Sequence, residues 1–294
     1  MQLAVAGLGR MGRAIAERLA APELPVLVWN RTPGRANGLP DSRELHSPKD
    51  LAESADIVLS SLTHDDAVEA VYDGADGLLA TPVAGKLFIE TSTIRPETLR
   101  RLAVRVEAQG AQLVDAPVSG GPSVVRASGC FAFVGGSDAA VERARPVLAR
   151  FCRRAEHSGP AGHGTVMKLV ANLPIGVYFQ ALAEALSLGR QYGLGLERML
   201  GIITDTPGAL QLLPRKIPAI LGAEGEIPFD IAGVRKDLLA MTASAQRAGV
   251  PTPAATGALT AYAAATAAGW GDKDFAQIIR FWSEAMSGTE PGRR

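Results

Sequence analysis

The amino end of the chain places a strand-like run, a glycine loop and an amphipathic helix in succession. The run LAVA leads into GLGRMGRAIAERL, in which Gly7, Gly9 and Gly12 have G-x-G-x-x-G spacing. That spacing is a weak signal alone, but between a strand and a helix it is typical of dinucleotide binding. Gly7 permits the turn, Gly9 lets the backbone approach a pyrophosphate, and Gly12 lets helix and strand pack closely. We expect the loop to bind a dinucleotide through Gly7, Leu8, Gly9, Arg10, Met11 and Gly12.

Apolar runs of strand character alternate with helical patterns as far as about Glu156. Helix starts are indicated by three pairs: Ser47 with Pro48, Arg95 with Pro96, and Ser137 with Asp138. This alternation predicts βαβ units and a mostly parallel sheet of Rossmann type. The runs are LAVA (3–6), VLVW (26–29), DIVLSS (56–61), KLFIE (86–90), AQLVD (111–115) and CFAFVGG (130–136).

From about Gly164 onward the apolar periodicity is helical, and no strand-like run follows. The chain is therefore predicted to be an α/β protein: a nucleotide-binding domain over residues 1–161, then an all-helical domain over residues 162–294, joined by a long helix. The alanine-rich segment Ala254 to Ala268 allows close helix packing, either between subunits or within the domain core.

Length and composition narrow the class of protein. A chain of 294 residues suggests two domains. The charges of thirty basic and thirty acidic residues cancel, and no block of like charge occurs, which argues against nucleic-acid partners.

Cys130 and Cys152 lack metal-ligand or C-x-x-C spacing and are interpreted as buried thiols. His46, His64 and His157 are scattered, so no metal site is predicted. With no signal-like amino end and no stretch near ~20 apolar residues, we expect a cytoplasmic protein without membrane contact.

The residues after the second strand bear on the choice of cofactor. An NAD site usually offers a carboxylate there for the ribose 2′-hydroxyl, whereas this chain has Asn30, Arg31 and Thr32. Arg31 can make a bidentate contact with a 2′-phosphate. The sequence therefore favours NADPH over NADH, the alternative being that Arg31 is a solvated turn residue.

A second glycine loop, DAPVSGG (115–121), follows the AQLVD strand and is expected at the carboxyl edge of the sheet, where ligands bind. The Ser119 hydroxyl and the amides of Gly120 and Gly121 could form a pocket for a carboxylate. A plain Gly-Pro loop is the alternative.

The segment GHGTVMKLVAN (162–172) places Lys168 and Asn172 on one face of a helix. Hydride delivery to a carbonyl carbon creates an alkoxide, which a nearby ammonium group both stabilises and protonates. Alternatively, Lys168 extends its charge from a helix flank into solvent. His163, just before the helix, is interpreted as a loop or capping residue rather than the catalytic base.

These motifs, in this order and over nearly the whole chain, resemble the β-hydroxyacid dehydrogenase family. GLGRMGRAIAERL resembles the family's cofactor fingerprint, DAPVSGG its substrate signature, GHGTVMKLVAN its catalytic segment, and KDL (236–238) its carboxyl-terminal cofactor motif. The resemblance implies a two-domain fold with the active site between the domains, and a homodimer or homotetramer.

The resemblance also implies residue roles. Lys168 would be the general acid or base, with Asn172 orienting it or the substrate. Ser119, Gly120 and Gly121 would anchor a carboxylate, and Ser119 would thereby join Lys168 and Asn172 as a catalytic residue. The remaining assignments are cofactor contacts at Leu62, Thr93 and Lys236, and substrate contacts at Phe229 and Asp237.

Two departures from the family pattern concern the substrate pocket. The family usually has consecutive asparagines after the lysine, whereas this chain has Ala171 before Asn172. The loop after SGG reads PSVVRASG, so that Pro122, Val124, Val125 and Arg126 replace the usual small residues.

The resulting hypothesis is an NADPH-dependent oxidoreductase that interconverts a small carboxylate-bearing aldehyde or ketone and its hydroxyacid. An imine reductase shares the implied fold but generally has Asp or Tyr where this chain has Lys168. An oxidative decarboxylase of the 6-phosphogluconate type would have histidine at Ala171. A non-catalytic NADP-binding sensor would not need Lys168, Ser119 and Asn172.

Overall fold

The computed structural model describes residues 1–287 and divides into two compact units between Val170 and Ala171. The predicted boundary lay after residue 161, just ahead of a long helix, whereas this division falls inside that helix. Residues 288–294, the end of the predicted second domain, lie outside the described residues.

The first unit contains a nine-stranded sheet. Six parallel strands run in the spatial order β3-β2-β1-β4-β5-β6, and β8 then pairs antiparallel with β6 and β7 and parallel with β9. The mostly parallel sheet is therefore confirmed. The strands are β1 (Leu3–Ala6), β2 (Val26–Trp29), β3 (Ser42–Glu44), β4 (Ile57–Ser60), β5 (Leu87–Glu90), β6 (Gln112–Asp115), β7 (Val118–Ser119), β8 (Cys130–Gly135) and β9 (Cys152–Gly159).

Six helices of the first unit cover both faces of this sheet. Alternate residues of β1 separate two cores: Leu3 and Val5 pack with α1 and α6, whereas Ala4 and Ala6 pack with α2, α3 and α4. A parallel sheet buried on both faces explains the continuous apolar runs of its strands. The helices are α1 (Arg10–Leu19), α2 (Pro48–Ser54), α3 (Asp65–Asp73), α4 (Pro96–Ala108), α5 (Pro122–Arg126) and α6 (Asp138–Leu148).

The second unit, as described, is helical, and α7 enters it from the first. Its core gathers Phe179 and Leu182 of α7 around Tyr262 of α11. The alanines at 255, 258, 261 and 265 are buried on α11, so that close packing occurs within the chain. The elements are α7 (His163–Gln191), α8 (Leu196–Thr204), α9 (Leu213–Ile220), α10 (Ile231–Arg247), α11 (Pro253–Ala265), a π turn (Thr266–Trp270), a 3-10 turn (Phe275–Gln277) and α12 (Ile278–Ser287).

Helix α7 corrects one expectation from the sequence. By length and composition alone it could cross a membrane, because an 18-residue window has a mean hydropathy of 1.4. One such helix is weak evidence, since the core helix of a soluble protein passes the same test. Phe179, Leu182 and Ala183 of α7 are buried in the second unit's core, and 33% of the apolar window is buried.

The start of α7 is attached to the sheet by the buried carboxylate of Asp115, the last residue of β6. Asp115 accepts hydrogen bonds from the Gly162 amide at 2.8 Å, the Thr165 amide at 2.6 Å and the Thr165 hydroxyl at 3.0 Å. A helix start carries partial positive charge, which favours an anion at this position.

Two glycines make this attachment possible. Gly162 has φ +94°, which side-chain-bearing residues rarely adopt, and a Cβ on Gly164 would overlap the Phe133 carbonyl oxygen. The G-x-G of GHGTVMK is therefore explained by a close approach of α7 to the ends of β6 and β8.

We expect Asp115→Asn to lower the free energy of unfolding by about 2–4 kcal/mol, because an amide cannot accept hydrogen bonds through both of its polar atoms. Urea denaturation at pH 7.5 measures the loss. The matched control is Asp138→Asn, since the Asp138 side chain is 97% exposed on α6. Equal losses in the two variants would contradict an anchoring role for Asp115.

Candidate functional site

The parallel strands of the first unit bring their carboxyl ends to one edge of the sheet, where open α/β folds bind ligands. Segments predicted to contact the cofactor follow four of these strands: the glycine loop after β1, Asn30 to Thr32 after β2, Leu62 after β4 and Thr93 after β5. DAPVSGG begins at the end of β6. The sheet therefore brings the predicted cofactor segments of the first unit and the second glycine loop to one edge.

The three glycines of the first loop differ in what surrounds them. Gly7 has φ +93°, and a Cβ there would overlap the Ser61 carbonyl oxygen. A Cβ on Gly12 would overlap the Gly7 carbonyl oxygen, whereas a Cβ on Gly9 would meet nothing within 4 Å. Gly9 is also the N-cap of α1 and offers no capping side chain to its first amides. Gly7 and Gly12 are thus required by the fold, and Gly9 leaves space for a ligand.

Asn30 holds the glycine loop in place. Its Oδ1 accepts a hydrogen bond from the Leu8 amide at 2.9 Å, and its Nδ2 donates to the Thr32 carbonyl at 2.9 Å. The structure thus uses the Asn30 amide to connect the ends of β1 and β2. Arg31 and Thr32 are exposed beside it, as is Arg10 of the loop, and Met11 is half-buried.

A row of polar residues crosses the sheet at this edge, and the sequence reasoning assigned no role to its members. Ser60, Glu90 and Asp115 are register partners at the ends of β4, β5 and β6, and all three are buried. The sequence does mark two of these positions, because an acidic residue ends each of the apolar runs KLFIE and AQLVD. Buried carboxylates are costly unless they are hydrogen-bonded, which marks such positions for explanation.

Both carboxylate oxygens of Glu90 accept hydrogen bonds. Its Oε2 accepts from the Ser60 hydroxyl at 2.6 Å and its Oε1 from the Ser92 amide at 2.8 Å. Burial raises the pKa of Glu90 from 4.5 to about 7; bonds from Ser60 and Ser92 oppose the rise, and the Asp115 carboxylate adds to it. Glu90 therefore favours the folded state most below pH 4.5, and this contribution is lost as pH rises through about 7.

The second glycine loop exposes Ser119 and Gly120 at the end of the short strand β7. Gly120 has φ +127°, and a Cβ there would lie 3.0 Å from both Cys130 Sγ and Val124 Cγ1. The bulky residues that follow form α5, in which Val125 is buried and the Arg126 guanidinium pairs with Glu17 of α1 at 2.7 Å. Of these bulky residues, Val124 is the one that lies against Gly120.

Lys168 is half-buried on α7. Burial raises the pKa of Cys130 to about 11, and the Lys168 charge opposes that rise, which makes the Lys168 ammonium an electrostatic neighbour of the thiol. Because Cys130 Sγ also lies beside Gly120, Lys168 and the SGG loop share a neighbour.

Cys130 and Cys152 are buried free thiols, as predicted, and they are register partners on the neighbouring strands β8 and β9. His163 approaches the Ser158 carbonyl through Nδ1 at 3.2 Å, consistent with a loop role.

The second unit contributes a polar cluster of its own. Asn172 Nδ2 donates to Asp237 Oδ2 at 2.7 Å, and Lys236 Nζ lies 3.1 Å from Asp237 Oδ1. This arrangement directs the amide nitrogen of Asn172 to Asp237 and makes its Oδ1 the acceptor on the other side. Phe229, two residues before α10, packs 5.8 Å from the Phe275 ring. Within residues 1–287, no group of three or more His, Cys, Asp and Glu side chains is placed to hold a metal ion.

Comparisons with known proteins agree with this arrangement. The family model described as the NAD binding domain of 6-phosphogluconate dehydrogenase matches residues 2–159. A second model, NAD-binding of NADP-dependent 3-hydroxyisobutyrate dehydrogenase, matches residues 162–282.

Individual relatives match over most of their length. The 3-hydroxyisobutyrate dehydrogenase of Pseudomonas aeruginosa is 37% identical over 85% of this chain and 87% of that protein. The NAD-dependent L-serine dehydrogenase of the same organism is 31% identical over 96% and 97%. The structure of Mycobacterium tuberculosis 3-hydroxyisobutyrate dehydrogenase with L-serine has a TM-score of 0.82 and 28% identity, covering 96% of this chain and 99% of that chain.

The strand order, the glycine loop at its edge and the matched models define an oxidoreductase that binds NAD or NADP. Within that class, the relatives act on small hydroxy acids. The chain belongs to the β-hydroxyacid dehydrogenase family, as its four motifs predicted.

The contrast between Gly9 and Gly12 predicts two different defects. Gly12→Ala should lower the free energy of unfolding by about 1–3 kcal/mol, because its Cβ overlaps the Gly7 carbonyl. Gly9→Ala should leave stability within about 0.5 kcal/mol of wild type and weaken dinucleotide binding about 10–100-fold, through a clash with the ligand alone. Urea denaturation and fluorescence titration with NADPH and NADH separate the two effects. Unchanged binding by Gly9→Ala would contradict the pyrophosphate assignment.

Proposed function

We propose that this protein is an NADPH-dependent oxidoreductase interconverting a small carboxylate-bearing aldehyde or ketone and its hydroxyacid. One observation carries the proposal: the loop that offers Ser119 and Gly120 begins at Asp115, and Asp115 anchors the helix that carries Lys168. The Ser119 hydroxyl with the neighbouring glycine amides, and the half-buried ammonium of Lys168, are thus attached to the fold through the same buried carboxylate.

The chemistry follows from these groups. When bound, the reduced nicotinamide supplies the hydride that reduces the carbonyl carbon. Lys168 stabilises the alkoxide that develops and donates a proton to it; in the reverse direction, its neutral amine removes the proton of the hydroxyacid. The Ser119 hydroxyl and the amides of Gly120 and Gly121 hold the substrate carboxylate.

The second unit's residues have complementary roles in this proposal. Asn172 is oriented by its hydrogen bond to Asp237, and we propose its Oδ1 as an acceptor for the substrate. Lys236 contributes to cofactor binding, and Phe229 and Asp237 to substrate binding.

The named relatives suggest where in the substrate the alcohol lies. In both 3-hydroxyisobutyrate and L-serine a hydroxymethyl group is attached to the carbon that bears the carboxylate. We therefore propose substrates in which the carbon that bears the alcohol is bonded directly to the carbon that bears the carboxylate. The corresponding semialdehydes are the reductive substrates.

Cofactor preference rests on the end of β2. Asn30, Arg31 and Thr32 provide no carboxylate, Arg31 is exposed, and the Asn30 amide is engaged with the glycine loop. Arg31 is therefore the residue we propose for the 2′-phosphate of NADPH. One relative is named for NAD and the second matched model for NADP, so the family admits both cofactors.

We also infer that the protein is a homo-oligomer. The end of α7 and the loop after it expose large apolar side chains: Leu188 is 62% exposed, Tyr192 82% and Leu194 51%. Adjacent exposed apolar residues of this size are typical of subunit interfaces.

We expect Lys168→Ala to lower kcat about 10²–10⁴-fold on the best substrate while leaving NADPH affinity near wild type, because it removes the proton donor alone. The measurement is NADPH absorbance with a panel of semialdehydes, and the reverse reaction with 3-hydroxyisobutyrate and L-serine. Lys49→Ala is the matched control, since Lys49 is also half-buried and its ammonium pairs with Glu53 of the same helix, α2, at 3.9 Å. Wild-type turnover by Lys168→Ala would show that the assigned role is wrong.

We expect Arg31→Ala to weaken NADPH binding about tenfold or more and to change NADH binding less than about twofold, because only NADPH has a 2′-phosphate. Fluorescence titration with both nucleotides tests this. Arg43→Ala, an exposed arginine on β3, serves as the control. If the two affinities fall equally, Arg31 does not recognise the 2′-phosphate.

A further inference from the structure

Glu90 occupies a central position beneath the proposed cofactor site. It ends β5, and it is register partner of Ser60 at the end of β4. Its two carboxylate oxygens accept from Ser60 and from the Ser92 amide, as described above. One buried carboxylate therefore connects two of the strand ends from which the cofactor segments emerge.

The connection continues into the loops themselves. The Leu62 amide donates to the Ser92 hydroxyl oxygen at 2.7 Å, so the segment after β4 depends on the position of Ser92. Thr93, the other predicted contact at this edge, is the next residue in the chain. Leu62 and Thr93 are thus both placed by a serine that Glu90 holds.

We propose that Glu90 is a positioning residue of the nucleotide site: its ionised carboxylate orders the segments after β4 and β5, and its protonation weakens nicotinamide-nucleotide binding. This inference rests on the proposed function, because it takes Leu62 and Thr93 as cofactor contacts.

The hydrogen-bond arrangement explains why protonation should matter. The ionised carboxylate only accepts, and Ser60 and Ser92 both donate to it. Ser60 Oγ is also 2.9 Å from the Tyr72 hydroxyl, which donates to it while Ser60 donates to Glu90. A protonated Glu90 carries its own O–H and needs an acceptor, so a neighbouring donor must turn away. Any turn of Ser92 is transmitted to the Leu62 amide.

Two titratable groups face Glu90 from the packed elements, Tyr72 of α3 and Asp115 of β6. Burial and the nearby Glu90 charge raise the pKa of Tyr72 well above its ordinary value, so it stays neutral. Burial raises the pKa of Asp115, and the hydrogen bonds from Gly162 and Thr165 at the start of α7 oppose that rise. With a pKa of about 7, Glu90 changes charge near neutral pH.

The test compares wild type with Glu90→Gln, which mimics the neutral acid, in fluorescence titrations with NADPH and with NADH at pH 8.5 and pH 6. The ratio of the two proteins' dissociation constants cancels titration of the nucleotide itself. We expect the variant to bind each nucleotide about fivefold more weakly at pH 8.5 and equally at pH 6. A ratio independent of pH would overturn the inference.

Two further variants complete the test. Glu107→Gln makes the same chemical change at an exposed site on α4 and should give a ratio of one at both values of pH. Ser92→Ala retains Glu90 but removes the acceptor of the Leu62 amide. The ratio of its dissociation constants to those of wild type should depend on pH in the same way as for Glu90→Gln. This variant decides the question if Glu90→Gln does not fold. If wild type binds neither nucleotide, the proposed function fails as well; binding with a constant ratio rejects the role of Glu90 alone.

Discussion

The carboxylate of Asp115 is the interaction on which the first unit's site depends. It lies at the end of β6, where the sheet changes from parallel to antiparallel pairing, and it holds the first turn of α7 by three hydrogen bonds. The same residue begins the SGG loop. The proposed proton donor, Lys168, and the proposed anion-binding loop are therefore both attached to one buried group, and such an attachment to a rigid scaffold supports precise chemistry.

Asp115 and Glu90 are neighbours in the sheet, and their surroundings assign them different tasks. Asp115 accepts from backbone amides at a helix start, donors that are fixed and carry partial positive charge. Glu90 accepts from a serine hydroxyl and a single amide, and it faces the Asp115 charge. Burial raises the pKa of both carboxylates, to about 7 for Glu90, and the amides at the start of α7 oppose the rise at Asp115. The Asp115 carboxylate therefore supports the fold through its attachment to α7, and Glu90 titrates in the physiological range.

Much of the fold could be predicted because its strands are buried on both faces and its helices have capping signals. LAVA and VLVW coincide with β1 and β2, and Ser47 forms a reciprocal capping box with Asp50. Several elements that the sequence did not predict lack these signals: β3 is the polar SRE, β9 is a largely exposed CRRAEHSG, and α9 contains Pro214 and Pro218. Their structure comes from pairing and packing, which no local pattern encodes. In the site, residue types at motif spacing could be predicted. The long-range partners could not: Leu8 lies 22 positions from Asn30, and Ser60 lies 30 positions from Glu90.

The two departures from the family pattern have different structural consequences. Ala171 replaces an asparagine, yet the bond between Asn172 and Asp237 forms without it, so the orientation of the remaining amide does not require a second one. The PSVVR segment is absorbed into α5, where Val125 fills the core and Arg126 pairs with Glu17 of the helix that follows the first glycine loop. The added bulk thereby attaches this segment to α1. Val124 lies against Gly120, so the added volume reaches the SGG loop that we propose as the carboxylate anchor.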